Sequence, residues 1–239
     1  MITILYEDKD IIVVEKPVGM ESQSSRGFSA DMVSEIKRHI HKLSPGAGEP
    51  YVGVIHRLDK PVGGIMVYAK NQKAAAALSS DVQGKKMRKM YFAVVCGKVV
   101  DKQGHFVDYL LKDGRNNCSK IVDKGITGGK LAELDYFVAG EREYKGGIKT
   151  LVEINLMTGR HHQIRVQFAG HGYPLYGDNR YHPDYKDGHG TDVALYAWKL
   201  QFTHPHSGKI MVFEKLPATS IFSEFQDILI EYKRSTKQK

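Results

Sequence analysis

With 239 residues, 41% of them hydrophobic and 26% charged, the chain has the make-up of a soluble folded protein and enough length to bury a core without cross-links. No apolar run approaches the ~20 residues of a membrane span, and the start MITILYEDKD lacks the basic region and long apolar core of a secretory leader, so a cytoplasmic protein with no membrane association is expected. Two cysteines, Cys96 and Cys118, match neither a disulfide framework nor a CxxC motif, while a net charge of +8 points to a polyanionic partner even though 232-YKRSTKQK-239 supplies four of the positive charges.

In chain order, 2-ITILYE-7 and 11-IIVVEK-16 read as strands joined by the turn Asp8-Lys9-Asp10. Ser29 or Asp31 is placed to cap a helix running to about His41, with Met32, Val33, Ile36 and Ile40 at helical spacing, and 44-SPGAGEP-50 ends it. A strand through 52-VGVI-55, the polar cluster His56-Arg57-Leu58-Asp59, a strand at 64-GIMVYA-69, a helix near 72–80 capped by Asn71 and a strand at 90-MYFAVVCG-97 follow. Further strands are expected near 119–123, 130–138 and 148–156, with 140-GEREYKGG-147 as a polar loop, a short pair around 194–213 and a helix near 219–232. Strands outnumber helices and do not alternate with them one for one, which favours α+β over a doubly wound sheet. One domain over 1–231 with a basic, flexible tail at 232–239 is the simplest division.

Two clusters carry polar groups out of proportion to their setting. In 54-VIHRLDKPVGGIMVYAK-70, Asp59 sits where an apolar strand turns, with Pro61 fixing the backbone and Gly63-Gly64 allowing close approach. Such an Asp reads first as a turn residue bonding nearby amides; His56 alone reads as a packed histidine, and Arg57 suits an ion pair as well as a phosphate or base contact. In 151-LVEINLMTGRHHQIRVQFAGHGYPLYGDNRY-181 a strand ends and a helix begins, with Thr158 as a candidate cap and with Arg160, His161, His162, Gln163, Arg165 and Gln167 making its start polar. The strip 85-KKMRKMY-91 places Lys85, Lys86, Arg88 and Lys89 directly before an aromatic, as a phosphate-contacting strip does, although a solvated charged turn reads the same. The HPH triplet, His204 and His206, sits in a hairpin turn; with no HExxH or i,i+4 histidine pair, no metal is expected.

Taken together, HRLDKPVGGIMVYAK, KMYFAVVCGKV and LMTGRHHQIRVQFAGHGYPLYGDNRY resemble, in order, three motifs of the RluA-type RNA pseudouridine synthases, and the likeness extends from about residue 4 to 217. The resemblance implies the pseudouridine synthase fold, a mixed, mainly antiparallel β-sheet with peripheral helices and a central catalytic cleft. It also implies isomerisation of uridine to pseudouridine in an rRNA or tRNA, with no cofactor and no obligate protein partner. Asp59 matches the family's catalytic aspartate, Tyr91 the tyrosine that packs on the target base, and Arg165 the basic residue paired with the aspartate. Arg57 matches an arginine that fills the space of a flipped base, while His56, Arg160, His162, Gln163 and the Lys85, Lys86, Arg88, Lys89 strip are candidate substrate-binding residues.

The chemistry suits these residue types. Exchanging an N1–C1′ for a C5–C1′ bond calls for a nucleophile such as a carboxylate, a cation must hold its charge against burial, and the uracil must leave the stack to be reached. Two departures from the family pattern stand out: Val62-Gly63-Gly64 where Thr-Ser-Gly is common, and His161 where Thr is usual. No small N-terminal RNA-binding domain is expected, which leaves target choice to loops at 18–30, 101–118 and 180–192, with the basic tail as a further candidate. Two competing readings are an RNA-binding module with a decayed site, at odds with the presence of Asp59, Tyr91 and Arg165, and a glycoside hydrolase, for which Glu153 or Asp178 would have to supply a second acid.

Overall fold

The run 11-IIVVEK-16 is apolar at successive positions, the mark of a strand covered on both faces. In the computed structural model it forms β2 (Ile11–Lys16), paired antiparallel with β1 (Thr3–Glu7) on one side and β4 (Gly63–Ala69) on the other, and Ile11 to Val14 are fully buried. The structure describes residues 2–24, 30–46, 48–183, 193–218 and 220–236. Its strands make a mixed, mainly antiparallel sheet with four α-helices, and the chain divides into two compact units, Met1–Arg88 with Ala197–Lys215 and Lys89–Tyr196 with Leu216–Lys239.

In the first unit the strand order is β1-β2-β4-β10, with β10 (Leu195–Thr203) carrying the hairpin partner β11 (Ile210–Glu214) and the two-residue β3 (Gly53–Val54) paired to β4. Alternate residues of these strands, Ile11, Val13, Ile65, Val67, Leu200 and Phe202, form one cluster with Ala74 and Leu78 of α2 (Gln72–Gln83). Asn71 caps α2 as its position suggests, its Oδ1 accepting the Ala74 N–H at 2.9 Å. Helix α1 (Met32–Leu43) starts at Asp31, whose carboxylate forms a capping box with Ser34; Ser29, the other candidate cap, lies outside the described residues.

The second unit orders its strands β5-β9-β8-β6-β7: β5 (Arg88–Cys96), β9 (Gly147–Leu156), β8 (Lys130–Tyr144), β6 (Gln103–Asp113) and β7 (Cys118–Val122). Four sequence expectations change here. Residues 101–118 are mostly strand rather than loop, because β6 buries only Phe106 and Leu110 and its apolar signal is correspondingly thin. The polar stretch 140–147 is also mostly strand; a two-residue turn at Lys145-Gly146, with φ of 47° and 74°, closes the β8–β9 hairpin. Helix α3 (Gln163–Gly170) begins five residues after Thr158, so that residue is not its cap. Helix α4 (Gln226–Thr236) continues through 232–236, part of the stretch expected as a tail, and docks on β8 and β9 through Arg142–Asp227 and the Tyr232 hydroxyl, which donates to Glu153 at 3.0 Å. Of the loops expected to set target choice, 184–192 and 25–29 lie outside the described residues.

One glycine is dictated by space as well as by backbone. Gly64, the second residue of β4, has φ +131°, and a Cβ there would lie 2.4 Å from the Ala197 carbonyl oxygen. Because both the φ and a backbone neighbour resist a side chain, Gly64→Ala is expected to destabilise the protein by about 2–4 kcal/mol, read as a lowered denaturant midpoint.

Candidate active site

Asp59 lies half-buried in the turn from β3 to β4, and its carbonyl accepts the Val62 N–H at 3.0 Å. The preceding residues have different surroundings. His56 uses Nε2 to accept the Val67 N–H of β4 at 3.2 Å, which anchors it to the sheet, whereas Arg57 is exposed. Sequence reasoning missed the most unusual neighbour of this turn. Lys16, the last residue of β2, is fully buried, and its ammonium donates to the carbonyls of Pro17 (3.0 Å), Met20 (2.6 Å) and Lys60 (3.2 Å). Burial pushes its pKa down to about 8, opposed by attraction to Asp59. A lysine ending a strand reads as surface; the signal that could have revealed it is the apolar IIVV run that covers both faces just before it.

In the second unit the polar start of α3 is almost entirely buried, so each polar atom needs a partner. Arg165 makes a two-pronged pair with Asp178, Nε and Nη2 donating to its two oxygens at 2.7 Å each, and the side chains are only 4% and 0% exposed. Asp178 Oδ1 also accepts the Arg180 and Tyr181 N–H groups at 3.0 and 3.2 Å, which brings the Tyr181 ring under the Arg165 guanidinium at 5.2 Å. Burial pushes the Tyr181 phenol up to about 12, and this hydroxyl accepts the Ser119 N–H at 2.9 Å and meets His162 Nδ1 at 2.8 Å.

His162 holds a left-handed φ of 53° just before α3 and stacks on His161 at 3.8 Å. His161 in turn reaches Ser119 Oγ (2.9 Å) and Asn117 Oδ1 (3.1 Å), so the position that departs from the family pattern ties the third motif to the β6–β7 turn. Gln163 spends its amide inside the protein: Oε1 accepts from Thr158 Oγ1 and the Arg160 N–H, while Nε2 donates to Glu133 O and Gln167 Oε1. Thr158 thus acts through Gln163 instead of capping the helix. Arg160 is exposed, with Nε on Leu131 O at 2.7 Å. In the sequence Asp178 stands out only as a candidate second acid, and Tyr181 only as the end of the third motif's string.

Tyr91 is 5% exposed on β5. Of the basic strip, Lys85, Lys86 and Arg88 are exposed, and Lys89 is drawn in far enough for burial to lower the pKa of its ammonium. Its Nζ lies 3.4 Å from where a Gly159 Cβ would be, so the amine sits beside the Thr-Gly-Arg turn.

Among the described residues, one group has the composition of a metal site: Asp8, Asp10 and His204, with ligand atoms within 4.8 Å of one another. His204 Nδ1 accepts the N–H groups of His206 and Ser207 at 3.2 and 3.1 Å, so the ring proton sits on Nε2 and is donated to Asp8 Oδ2 at 2.7 Å. With both ring nitrogens so engaged, the histidine has no lone pair for an ion, and the cluster braces the β1–β2 turn against the β10–β11 turn.

The chain is similar to known proteins over most of its length. Residues 10–170 match the family described as RNA pseudouridylate synthase. An uncharacterized RNA pseudouridine synthase of Aquifex aeolicus is 37% identical over 223 residues, covering 89% of this chain and 68% of the relative. The ribosomal large subunit pseudouridine synthase D of Nitrosomonas europaea is 34% identical over 88% of this chain, which spans 60% of that relative's length. Human RNA pseudouridylate synthase domain containing 4 shares the fold, with a TM-score of 0.74 at 20% identity over 95% of this chain and 92% of its own. The chain belongs to the RNA pseudouridylate synthase family, a family of isomerases that act on uridine in RNA.

Proposed function

We propose that this protein isomerises a uridine of rRNA or tRNA to pseudouridine, with Asp59 as the nucleophile. Family membership together with the intact HRLD sequence carries the reading, and the name of the Nitrosomonas relative favours ribosomal RNA as the first substrate to try. In this scheme the target uridine leaves its stack, the Asp59 carboxylate adds to the nucleoside, the N1–C1′ bond breaks, the freed uracil turns so that C5 bonds to C1′, and the bond to Asp59 breaks again. Loss of the C5 proton, matched by a proton gained at N1, completes an isomerisation that needs no redox partner and no group donor.

Tyr91 is assigned to stack on the base, returning about 1–3 kcal/mol of the cost of flipping. Arg165, held rigidly by Asp178, supplies a fixed positive charge for the carboxylate, and Arg57 takes the place of the flipped base. The exposed cations Lys85, Lys86, Arg88 and Arg160 suit backbone phosphates flanking the target, and Lys89 offers an amine already stripped of much of its water. His56 and His162, each with one ring nitrogen bonded within the protein, and Gln163, whose amide bonds there at both ends, serve the substrate by shaping the loops around it. The protein is expected to work in the cytoplasm, where its RNA substrates are.

The direct test is tritium release from [5-³H]uridine-labelled cellular RNA taken from a strain lacking the protein. Wild type is expected to release tritium and Asp59→Asn to be slower by about 10³-fold or more. No release by a folded wild type from either rRNA or tRNA would favour the decayed RNA-binding reading.

A second test concerns the cation. Lysine cannot reproduce the two-pronged bond to Asp178, so Arg165→Lys is expected to lower the single-turnover rate by about 10–100-fold and to lower the melting temperature as well. Equal rates and equal melting would remove Arg165 from the scheme.

A further inference from the structure

The backbone on both sides of Asp59 is gripped by side chains of the segment that follows β2. Ser22, 4% exposed, donates its hydroxyl to the Leu58 carbonyl at 2.8 Å and accepts the Leu58 N–H at 3.0 Å. One oxygen thereby takes both polar groups of the residue before the aspartate, and among side chains of that size only a hydroxyl is donor and acceptor at a single atom. On the other side, the Lys60 carbonyl accepts Lys16 Nζ at 3.2 Å and the Gly19 N–H at 2.9 Å. With Asp59's own carbonyl bonded to the Val62 N–H, the peptide groups around the carboxylate have little freedom to rotate.

The grip is itself anchored. The Tyr68 hydroxyl of β4 donates to the Ser22 carbonyl at 3.1 Å, the Met32 N–H at the start of α1 donates to Glu21 O at 3.0 Å, and the Ser24 N–H meets the Asp31 carboxylate that caps α1. Segment 16–24 is therefore a bracket fixed to two strands and a helix terminus, with the aspartate turn in its jaws. Lys16 supplies three donors to three carbonyls, two inside the bracket and one in the aspartate turn, so its ammonium ties them together.

We infer that Ser22 and Lys16 are positioning residues that hold the Asp59 backbone so that its carboxylate meets the flipped nucleoside in one orientation. The inference rests on the reading of Asp59 as the nucleophile. A displacement of about 1 Å in a reacting group costs on the order of 10²-fold in rate, and residues 55–62, which carry the aspartate, lie outside any strand or helix that would hold them. Neither Ser22 nor Lys16 touches the substrate in this scheme.

The test compares single-turnover tritium release, RNA affinity by filter binding and melting temperature for wild type, Ser22→Ala, Ser22→Thr, Lys16→Met and Asp59→Asn. Ser22→Ala is expected to slow the chemical step about 10–100-fold with RNA affinity unchanged, and Ser22→Thr, which keeps the hydroxyl, to return within about 3-fold of wild type. Lys16→Met is expected to slow the step at least as much. Because it leaves three carbonyls without their donor and risks misfolding, the decision rests on Ser22; should Ser22→Ala also fail to fold, Ser22→Cys, close in volume but a weak hydrogen-bonding group, replaces it with the same expected loss. A folded Ser22→Ala or Ser22→Cys reacting at the wild-type rate, or a loss that Ser22→Thr does not restore, overturns the inference. Should Asp59→Asn react like wild type, the nucleophile assignment falls, and that outcome is separate from a silent Asp59→Asn beside a fully active Ser22→Ala.

Discussion

The buried pair of Arg165 with Asp178 is the interaction on which the second unit's site depends. Two ions withdrawn from water cost several kcal/mol each, and their mutual attraction offsets this only when geometry is good and the remaining lone pairs are used. Both conditions hold: the guanidinium meets both carboxylate oxygens, and Oδ1 takes two further backbone N–H groups. Those last two bonds fold the chain after Asp178 back over Arg165, so Tyr181 lands where its hydroxyl reaches Ser119 and His162. A neutral pair of similar size would fill the space but would fix neither the turn nor the direction of the guanidinium.

The first unit solves a related problem by a different route. Lys16 is buried without a two-pronged acid partner, and its three donors go to main-chain carbonyls of two separate segments. A carbonyl dipole is a weaker counterweight than a carboxylate, which is why burial leaves this ammonium's pKa well below the ordinary lysine value even with Asp59 attracting it. The arrangement exchanges electrostatic comfort for geometry. An acid placed directly on Lys16 would satisfy the charge more fully and would no longer need the carbonyl of Lys60, so the turn carrying Asp59 would lose a tether.

What the sequence revealed and what it hid follow from the same physics. Strands buried on both faces, such as 11–16 and 64–69, and the Asn71 cap of α2 announce themselves because apolar content and capping chemistry are local. The family likeness was legible because its motifs are contiguous strings. Strand β6 was taken for loop since it lies near the edge of its strand order and shows few apolar residues, and the β8–β9 hairpin was cut short because Glu141 to Tyr144 stay polar while remaining paired. The start of α3 was misplaced because His162 adopts a left-handed conformation, a choice set by its bonds to Tyr181 and its stacking on His161 and not by its own propensity. Tyr181, Lys16 and Ser22 escape notice as site residues, and Asp178 as the partner of Arg165, for one shared reason: each acts through a partner distant in sequence, 13 residues away for Asp178 with Arg165 and 44 for Lys16 with Lys60.

The departure at Val62-Gly63 gains meaning in this setting. A family pattern with Thr and Ser at these positions would place two hydroxyls after the aspartate, able to brace the turn from its C-terminal side. Here Val62 is an apolar residue 2% exposed and Gly63 has no side chain, so neither position supplies a hydroxyl; on that side the Val62 N–H meets the Asp59 carbonyl, and Lys16 Nζ and the Gly19 N–H meet the Lys60 carbonyl. A side-chain hydroxyl does grip the turn from Ser22, across the chain, and acts on the residue before the aspartate. Bracing of this turn comes from the end of β2 and the segment that follows it. The conformation of 16–24 is thereby part of the aspartate's geometry, and it couples the turn to the N-terminus of α1, where Asp31 caps the helix and holds Ser24 with the same carboxylate. Disturbing that cap would therefore reach the Asp59 turn through Ser24 and Ser22 while leaving every residue of the HRLD motif in place.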